Sequence, residues 1–509
     1  MIKLITLDYQ RQDIANRHVQ IIFTAISVIC AFILSLNMAF ANVGVSQHAP
    51  KIAFYIGLTE YCCGVDTHPV HGIKTADGGY ALVGKSTDPN GNSDGFLLKL
   101  NQKDWLGYVM LSDDQFSEAG WSQMIGTTRH LDALNSVAAN DSAIFAGGFI
   151  HVRNGTIDRY LAKYDMSIGT EIWEATFADP IRQRDGAIEN ILLTRSGGLI
   201  VTGVINAHSG TFEGFKSYGN PQDGQAYVSY FSADQLDSAS APDAPVWLTL
   251  LPESVSGKGI REVSDNIGGY IVATASINEG PARAIRIGAN GHILWSEIYP
   301  IHGEVTDIAA LEMGGKTTGF AMVGHRNGDQ GGIDGSITYL DLKGNVSHHI
   351  TVGNPVGGVG QFSGLGAGHP QLIFDECWGI QGTDDGGVII ACGTGIEGCG
   401  EWSFGTAIRH TCNNDPRTTW RGFIVKFNAS GEQVWHRVDS FIETEDEMEV
   451  MDAASEYVVL TDDEAVISIV DQSFGIGILV LKPEKTDHEP IDVNASDKML
   501  TEFGIEGAQ

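Results

Sequence analysis

Basic residues are scarce in this sequence. The chain of 509 residues carries 31 Lys and Arg against 63 Asp and Glu, which gives a formal net charge of -32 at pH 7. A nucleic-acid partner needs a basic surface that neutralises phosphates, so this balance argues against one. We interpret the acidic excess, which is spread along the chain, as a source of solubility through self-repulsion, or as a feature that attracts cations.

Signatures of catalysis and of helical architecture are missing too. The sequence contains neither an HExxH nor a CxxC motif, so it offers no zinc-protease helix and no thioredoxin-like redox pair. Apolar residues keep no long 3.6-residue period, which argues against a helical solenoid. With only 15 Pro beside 43% hydrophobic residues, the composition is that of a chain with a large core.

Long apolar runs are limited to one, near the N-terminus. Residues 21–36, IIFTAISVICAFILSL, form an uncharged run of 16 residues, which is short for a membrane span of about 20. Basic residues precede it and the small-x-small sequence AFA at 39–41 follows, as in a secretory signal peptide. We predict a signal peptide over residues 1–41, a secreted or periplasmic protein, and no membrane association after cleavage. An uncleaved signal anchor is the alternative.

Cysteine is also rare, with 7 in the chain. After the predicted signal an even number remains, as expected for disulfides in an oxidising compartment: Cys62, Cys63, Cys377, Cys392, Cys399 and Cys412. If the sequence TDDGG at 383–387 closes a hairpin with Gln381 opposite Val388, Cys377 faces Cys392. Directly opposed strand residues lie close enough for a disulfide.

The pairing of the other four cysteines stays open. We expect Cys399 and Cys412 to close a loop, which leaves Cys62 and Cys63 adjacent in sequence. These two either form a vicinal disulfide or stay as thiols. Six cysteines allow many connectivities, so spacing alone does not decide.

Glycine, in contrast, is abundant. Its 63 residues are roughly twice the usual share of about 7%. Many fall in a repeated unit that is clearest at residues 75–100, TADGGYALVGKSTDPNGNSDGFLLKL, where two short strands follow a Gly-Gly turn. Copies recur about every 64 residues. Their best-defined strand segments are 78–84 with 94–100, 142–148 with 158–173, 197–203 with 225–231, 268–274 with 282–295, 318–324 with 334–346, 386–393 with 421–435, and 463–470 with 477–483.

Each copy alternates apolar residues between turn residues, which is typical of strands. One four-stranded sheet cannot bury both faces, whereas sheets arranged radially bury them against each other. The repeated unit, which runs from DGGY through an apolar strand ending in Gly to a G-x-x-x-W segment, resembles secreted bacterial seven-bladed β-propeller repeats. The segments KYDMSIGTEIW, GANGHILW and FNASGEQVW also resemble the repeats of quinoprotein-like propellers. The resemblance implies an all-β fold of seven four-stranded antiparallel blades, with six or eight blades as alternatives. It implies fold more than function.

Closure of the ring is a further expectation. The seventh copy lacks a fourth strand, and residues 51–56, KIAFYI, have the right length to supply it. We predict that they pair with residues 478–482 and join the first and last blades by hydrogen bonds. The propeller domain would then cover residues 42–485, followed by a polar C-terminal tail at 486–509.

Loop lengths predict a binding surface. Turns between strands one and two and between three and four are short, whereas connections between strands two and three and between blades are long and varied. These long connections define the variable face, where recognition is expected, because binding residues tend to lie on loops carried by a rigid scaffold. The insertion at 394–420 is the first candidate, with hot-spot residue types. The candidate binding residues there and on the adjacent first strand are Trp402, Arg409, His410, Arg417, Trp420, Asp375 and Glu376.

Acidic residues suggest where a cation could bind. They recur near the start of strand one, beside the expected central channel: Asp66, Asp132, Asp185, Glu262, Asp307, Asp375 with Glu376, and Asp452. Each could instead cap a turn of its own blade. A second candidate, Asp88 with Asn90, Asn92 and Asp94, imitates the start of a calcium loop, although Ser93 replaces its glycine. We predict no cofactor from the sequence, and Ca²⁺ is left open as a possible ligand.

The function predicted from these features is a non-enzymatic, monomeric binding propeller for a protein, glycan or surface. An enzyme at the channel mouth is the alternative. Dispersed carboxylates could form a glycosidase or lyase pair. Adjacent cysteines such as Cys62 and Cys63 occur beside the cofactor of quinone-dependent dehydrogenases, which makes that class a further alternative.

Overall fold

The computed structural model describes most of the chain between residues 49 and 482. The described ranges are 49–59, 66–102, 107–111, 120–126, 131–152, 155–178, 184–208, 223–276, 280–327, 333–353, 374–395, 420–439, 453–461, 465–472 and 475–482. The predicted signal peptide and the predicted tail lie outside these ranges. Among the described residues the one helix is Ala233–Asp237, and no helix there is long and apolar enough to cross a membrane.

The structure is a seven-bladed all-β propeller, as the repeats predict. The first strand of the chain, β1, is Ile52–Thr59. Blade 1 contains β2 (Asp66–Lys74), β3 (Tyr80–Thr87), β4 (Ser93–Leu100) and β6 (Gly120–Ile125), with β5 (Gly107–Leu111) inserted between its last two strands. Blade 2 contains β7 (Ala133–Ala139), β8 (Ala143–His151), β9 (Ile157–Asp165) and β10 (Glu171–Phe177). Blade 3 contains β11 (Arg184–Leu193), β12 (Leu199–His208), β13 (Gln225–Phe231) and β14 (Trp247–Leu250).

The remaining blades repeat the same antiparallel order. Blade 4 contains β15 (Ser256–Glu262), β16 (Tyr270–Ala275), β17 (Ala282–Ile287) and β18 (Ile293–Tyr299). Blade 5 contains β19 (Glu304–Met313), β20 (Lys316–Asn327), β21 (Ile333–Asp341) and β22 (Val346–Val352). Blade 6 contains β23 (Phe374–Gly382), β24 (Val388–Gly395), β25 (Arg421–Phe427) and β26 (Gln433–Asp439). Blade 7 contains β27 (Ala453–Leu460), β28 (Val466–Gln472) and β29 (Gly475–Leu481), completed by β1.

The predicted closure of the ring by the N-terminal strand is confirmed. Strand β1 runs antiparallel to β29, with Ile52 opposite Leu481 and Ile56 opposite Ile478. The Lys482 amide donates to the Lys51 carbonyl at 2.8 Å. Strand β5 then adds to β1 in parallel, so a segment that leaves blade 1 covers the outer edge of blade 7. Blade 7 thus takes two strands, β1 and β5, from the N-terminal part of the chain that also builds blade 1.

Apolar packing explains why the blades form a ring. A cluster of buried apolar side chains lies between the two members of each of the seven neighbouring blade pairs. At the seam, Ile56 and Ile478 of blade 7 pack with Leu82 and Phe96 of blade 1, and all four are at most 1% exposed. Each sheet thus buries both faces against its neighbours, which is the main favourable contribution to folding.

A β-bulge interrupts the first strand of every blade. In blade 6 the predicted register is wrong by one residue near the turn, because Gln381 pairs with Ile389 and not with Val388. The bulge between Cys377 and Gly379 absorbs this difference, so Cys377 still lies opposite Cys392. The predicted disulfide between Cys377 and Cys392 is confirmed. The other four cysteines of the expected mature chain lie outside the described residues.

Candidate functional site

The two faces of the ring differ in how the strands connect. The short turns between first and second strands close on one face, as where the Thr75 amide donates to the Gly79 carbonyl at 2.9 Å. We call this the hairpin face. The opposite, variable face carries the connections between second and third strands and the connections between blades. The first strands begin and the second strands end there. Several of these connections, including residues 209–222, 354–373 and 396–419, lie outside the described residues.

Residues from several first strands meet at the centre of the ring. Arg261 of blade 4 donates from its Nη2 to Asp307 Oδ2 of blade 5 at 2.7 Å and to the Tyr457 hydroxyl of blade 7 at 3.1 Å. The same nitrogen lies 3.2 Å from the Ile380 carbonyl of blade 6. His71 of blade 1 packs on the Tyr457 ring, with 4.0 Å between ring centroids. Residues of blades 1, 4, 5, 6 and 7 therefore meet in one group centred on Arg261, which we call the axial plug.

The electrostatics of the axial plug favour a fixed charge arrangement. The Asp307 side chain is fully buried and the Arg261 side chain is 13% exposed. Burial raises the pKa of the Tyr457 hydroxyl to about 12, against the lowering effect of Arg261. The hydroxyl is therefore neutral at physiological pH and accepts the Arg261 hydrogen bond. Such a buried, paired network stabilises one arrangement of the blades.

A second polar layer lies beside the bulges of the first strands. Lys258 of blade 4 approaches Glu189 of blade 3, with 3.5 Å between Nζ and Oε1. The Ser256 hydroxyl donates to the same carboxylate at 3.2 Å. The side-chain amide of Asn135 in blade 2 donates to the Ile188 carbonyl of blade 3 at 2.8 Å. These contacts join neighbouring blades, which is a structural use of channel-facing polar residues.

The acidic residues expected at the channel mouth mostly bond the backbone. Asp132 accepts from the His151 amide, and Asp185 accepts from the Ile157 amide at 3.0 Å. Asp375 accepts from the Thr394 hydroxyl at 2.6 Å. All three are at most 2% exposed. They fasten the ends of strands and do not form an exposed ring of carboxylates.

The sequence-based prediction placed Glu262 on the wrong face of the ring. It ends β15, opposite Tyr270, and so lies toward the hairpin face, where its carboxylate accepts from the Arg195 amide at 2.8 Å. The expectation failed because the first strand of blade 4 begins earlier, at Ser256. The side chain of Asp66 and all of Asp452 lie outside the described part of the chain.

The predicted binding residues are only partly described. Trp402, Arg409, His410 and Arg417 lie outside the described residues. Trp420 is 7% exposed and meets Trp378 edge to face, with 6.2 Å between ring centroids. Its carbonyl accepts from the Ala453 amide at 3.0 Å. Trp420 is therefore part of the blade 6 core, and Glu376, next to buried Asp375, is half-buried.

The predicted calcium residues are divided between two settings. The Asp88 carboxylate accepts from the Asn90 and Asn92 amides at 2.8 and 2.9 Å and from the Asn92 side chain at 3.0 Å. Hydrogen bonds from the Asn92 side chain and backbone lower the pKa of Asp88 to about 2. Asp94 instead borders Gly126 together with Asp132, and burial, then the Asp132 charge, raises its pKa. Three of the four residues thus build one turn, and Ca²⁺ binding there stays a prediction.

One sequence segment imitates a hydrolase motif without its geometry. Residues 91–95, GNSDG, fit the letters of the nucleophile elbow GxSxG. That motif requires a strand, a sharp turn and a helix, whereas Ser93 begins strand β4. Its hydroxyl donates to the Asp132 carbonyl at 3.3 Å, and the residue is 2% exposed. The geometry does not support a nucleophile.

Sequence reasoning missed a cluster at the seam between blades 7 and 1. His68 of β2 lies between Glu456 of β27 and Asp471 of β28, and one ligand-type atom from each lies within 4.8 Å of the others. His68 Nδ1 is 3.1 Å from Asp471 Oδ2, and His68 Nε2 is 3.6 Å from Glu456 Oε2. All three residues lie toward the variable face. Glu456 is the bulged residue of its strand, and a bulge cannot be placed from alternation alone.

Comparisons with known proteins identify no family. No family model matches the chain, and no curated protein matches it. Among solved structures, it is similar to BamB from Moraxella catarrhalis, with 10% identity, a TM-score of 0.34, and coverage of 82% of this chain and 99% of that one. It is also similar to BBS1N in complex with ARL6DN, with 12% identity, a TM-score of 0.41 and coverage of 87% and 99%.

A third similar structure is the quinohemoprotein alcohol dehydrogenase ADHIIG from Pseudomonas putida HK5. It has 10% identity, a TM-score of 0.36 and coverage of 85% of this chain and 78% of that one. Identities and scores of this size give no basis for transferring a function. The function proposed below therefore rests on the geometry of this chain.

Proposed function

We propose that this chain is a non-enzymatic binding protein of the cell exterior or periplasm, which recognises a protein, glycan or surface through its variable face. The axial plug is the observation that carries the proposal. Because Arg261 and Tyr457 meet across the axis, the ring centre is occupied by contacts that hold the blades. Recognition is then left to the rim and its long connections, which a rigid scaffold presents.

The carboxylates support binding over catalysis. A glycosidase needs two carboxyl groups that face one substrate, about 5 to 9.5 Å apart. Asp185 and Asp307 instead bond an amide and a guanidinium, and both are buried. The quinone-dependent alternative depends on Cys62 and Cys63, which lie outside the described residues, and no other feature favours it.

Blade 4 provides a matched pair of positions for testing which face binds. Ile301, in the connection from blade 4 to blade 5 on the variable face, is 48% exposed. Ile267, in the turn between β15 and β16 on the hairpin face, is 69% exposed. The labelled chain and the variants Ile301→Arg and Ile267→Arg would be titrated onto the envelope fraction of cells that produce the protein.

We expect Ile301→Arg to weaken binding at least about 5-fold, or roughly 1 kcal/mol, and Ile267→Arg to bind like the unaltered chain. A photo-crosslinking residue at position 301 then separates ligand classes, because a protein ligand gives a discrete protein adduct and a glycan does not. Equal effects of the two variants, or an effect of Ile267→Arg alone, would contradict recognition by the variable face.

A further inference from the structure

We propose that His68, Glu456 and Asp471 bind one divalent transition-metal ion, with Zn²⁺ as the reference ion, at the seam between blades 7 and 1. The proposal is independent of the ligand that the variable face recognises. The three residues lie on the first strand of blade 1 and the first two strands of blade 7. The ion would therefore sit where the ring closes.

Glu456 provides the main argument. The residue is 3% exposed, and its Oε2 is buried with no hydrogen-bond partner among the described residues. Burial of an ionised carboxylate is strongly unfavourable unless a cation or hydrogen-bond donors compensate it. The nearest basic atom in the cluster, His68 Nε2, lies 3.6 Å away, beyond normal hydrogen-bond length. A metal ion between these atoms would compensate the carboxylate.

The spacing in the cluster fits ligands around one small ion. Two ligand atoms on a tetrahedral Zn²⁺ are roughly 3.3 Å apart, because zinc bonds to nitrogen and carboxylate oxygen are about 2.0 to 2.2 Å long. One ligand-type atom each from His68, Glu456 and Asp471 lies within 4.8 Å of the other two, and His68 Nε2 lies 3.6 Å from Glu456 Oε2.

The donor types select the class of ion. Imidazole favours Zn²⁺ and its first-row neighbours, whereas Ca²⁺ prefers a set made only of oxygen ligands. Two carboxylates with one imidazole also neutralise a divalent charge. Half-burial of His68 and Asp471, at 14% and 23% exposure of the side chain, leaves room for water to complete the coordination.

Blade 5 contains a matched control. His325 Nε2 lies 3.3 Å from Glu304 Oε2, with side-chain exposures of 16% and 19%. These residues face each other at the same variable-face end of a first and a second strand. The described part of the chain contains only the His68 group as a set of three such ligands. Glu304→Gln thus removes a similar carboxylate from a similar histidine without touching the proposed site.

The test compares Zn²⁺ binding by the chelator-treated, purified full chain and three variants. Isothermal titration with Zn²⁺ and metal analysis after dialysis would be applied to the unaltered chain, Glu456→Gln, Asp471→Asn and Glu304→Gln. We expect one Zn²⁺ per unaltered chain and per Glu304→Gln chain. We expect binding at least about 10-fold weaker in Glu456→Gln and Asp471→Asn. Zn²⁺ should raise the melting temperature of only the chains that bind it.

A folding defect would not obscure the outcome. Both site variants are nearly isosteric amides, and circular dichroism of the metal-free proteins would confirm that they fold. If either variant does not fold, Co²⁺ added to the unaltered chain should give visible absorption typical of a nitrogen and oxygen site. No Zn²⁺ on the unaltered chain, unchanged binding in Glu456→Gln, or equal loss in Glu304→Gln would overturn the proposal, since Glu456 and His68 would then form only an ion pair.

Discussion

His302 illustrates how burial changes the chemistry of a single residue. The side chain is fully buried between blades 4 and 5, and its Nδ1 lies 2.9 Å from the Thr338 hydroxyl. The same hydroxyl is 2.9 Å from His349 Nδ1. Burial lowers the pKa of His302 from 6.5 to about 3. Burial, followed by the charge of Arg326, also lowers the pKa of His349.

This residue predicts acid sensitivity. Between pH 6.5 and about 3 the unfolded chain binds a proton at His302 that the folded chain does not. The free energy of unfolding therefore falls as the pH falls through this window. This loss in the free energy of unfolding is a few kcal/mol at most, because a shift of one pKa unit corresponds to about 1.4 kcal/mol. We expect urea titrations of His302→Gln at pH 7.5 and 5 to show a smaller acid loss than the unaltered chain.

Exposed His292 gives the control for that measurement. His292→Gln should retain the full acid loss, and His302→Gln should be less stable at pH 7.5 because its replacement packs less well. The same acid loss in both variants would show that His302 does not carry the effect.

At this scale the sequence shows residue types but not their surroundings. It identified Asp132, Asp185 and Asp375 as related positions, and their burial and backbone partners appear only in the structure. His68 and Glu456 are about 390 residues apart in the chain and come together only when the ring closes. No local pattern could have paired them.

At the scale of single elements, an internal ion pair defines the repeated blade motif. The basic residue of strand three bonds the aspartate of the turn between strands one and two in three blades: Lys99 with Asp77, Arg286 with Asp265, and Lys426 with Asp385. In blade 1 the Lys99 ammonium donates to Asp77 at 2.8 Å and to the Leu100 carbonyl at 3.0 Å. The motif residues that made the repeat visible are therefore scaffold residues.

We expect Lys99→Met to lower the free energy of unfolding by about 1 to 3 kcal/mol, because it leaves the Leu100 carbonyl without its donor. Lys99 is fully buried, whereas Lys316, the first residue of β20 in blade 5, is exposed. Lys316→Met should change stability by no more than about 0.5 kcal/mol. Denaturant titration of the two variants is the measurement, and similar losses in both would contradict a scaffold role for Lys99.

Prediction at this scale was limited by the bulges. Alternating residues located the strands of blade 6 and the Cys377–Cys392 pair, yet the register near the turn was wrong by one residue. A bulge adds one unpaired residue and changes which face each later residue occupies. Strand β5 was not predicted either, because five residues, GYVML, are too few to distinguish an added strand from an insertion.

At the scale of the whole molecule, the count of repeats and the missing fourth strand of the last copy predicted a closed ring of seven blades. That prediction succeeded because each sheet must bury both faces, and a ring is the arrangement that does so for all of them. The chemistry of the variable face could not be predicted in the same way, since copies differ there and no repeat constrains them. Ring closure and variable-face chemistry meet at the seam between blades 7 and 1, because the seam holds both the closing strand and the His68 cluster.

Hydrogen exchange of the closing strand tests the ring most directly. The amides of residues 54–57 should exchange as slowly as those of residues 476–480, since Tyr55 pairs with Leu479 and Ile56 with Ile478 in the middle of a blade. Mass spectrometry of peptides from the native full chain would measure both segments together. Matched slow exchange is the result that a closed seven-bladed ring predicts. Exchange of residues 54–57 within seconds, while residues 476–480 stay protected, would contradict it.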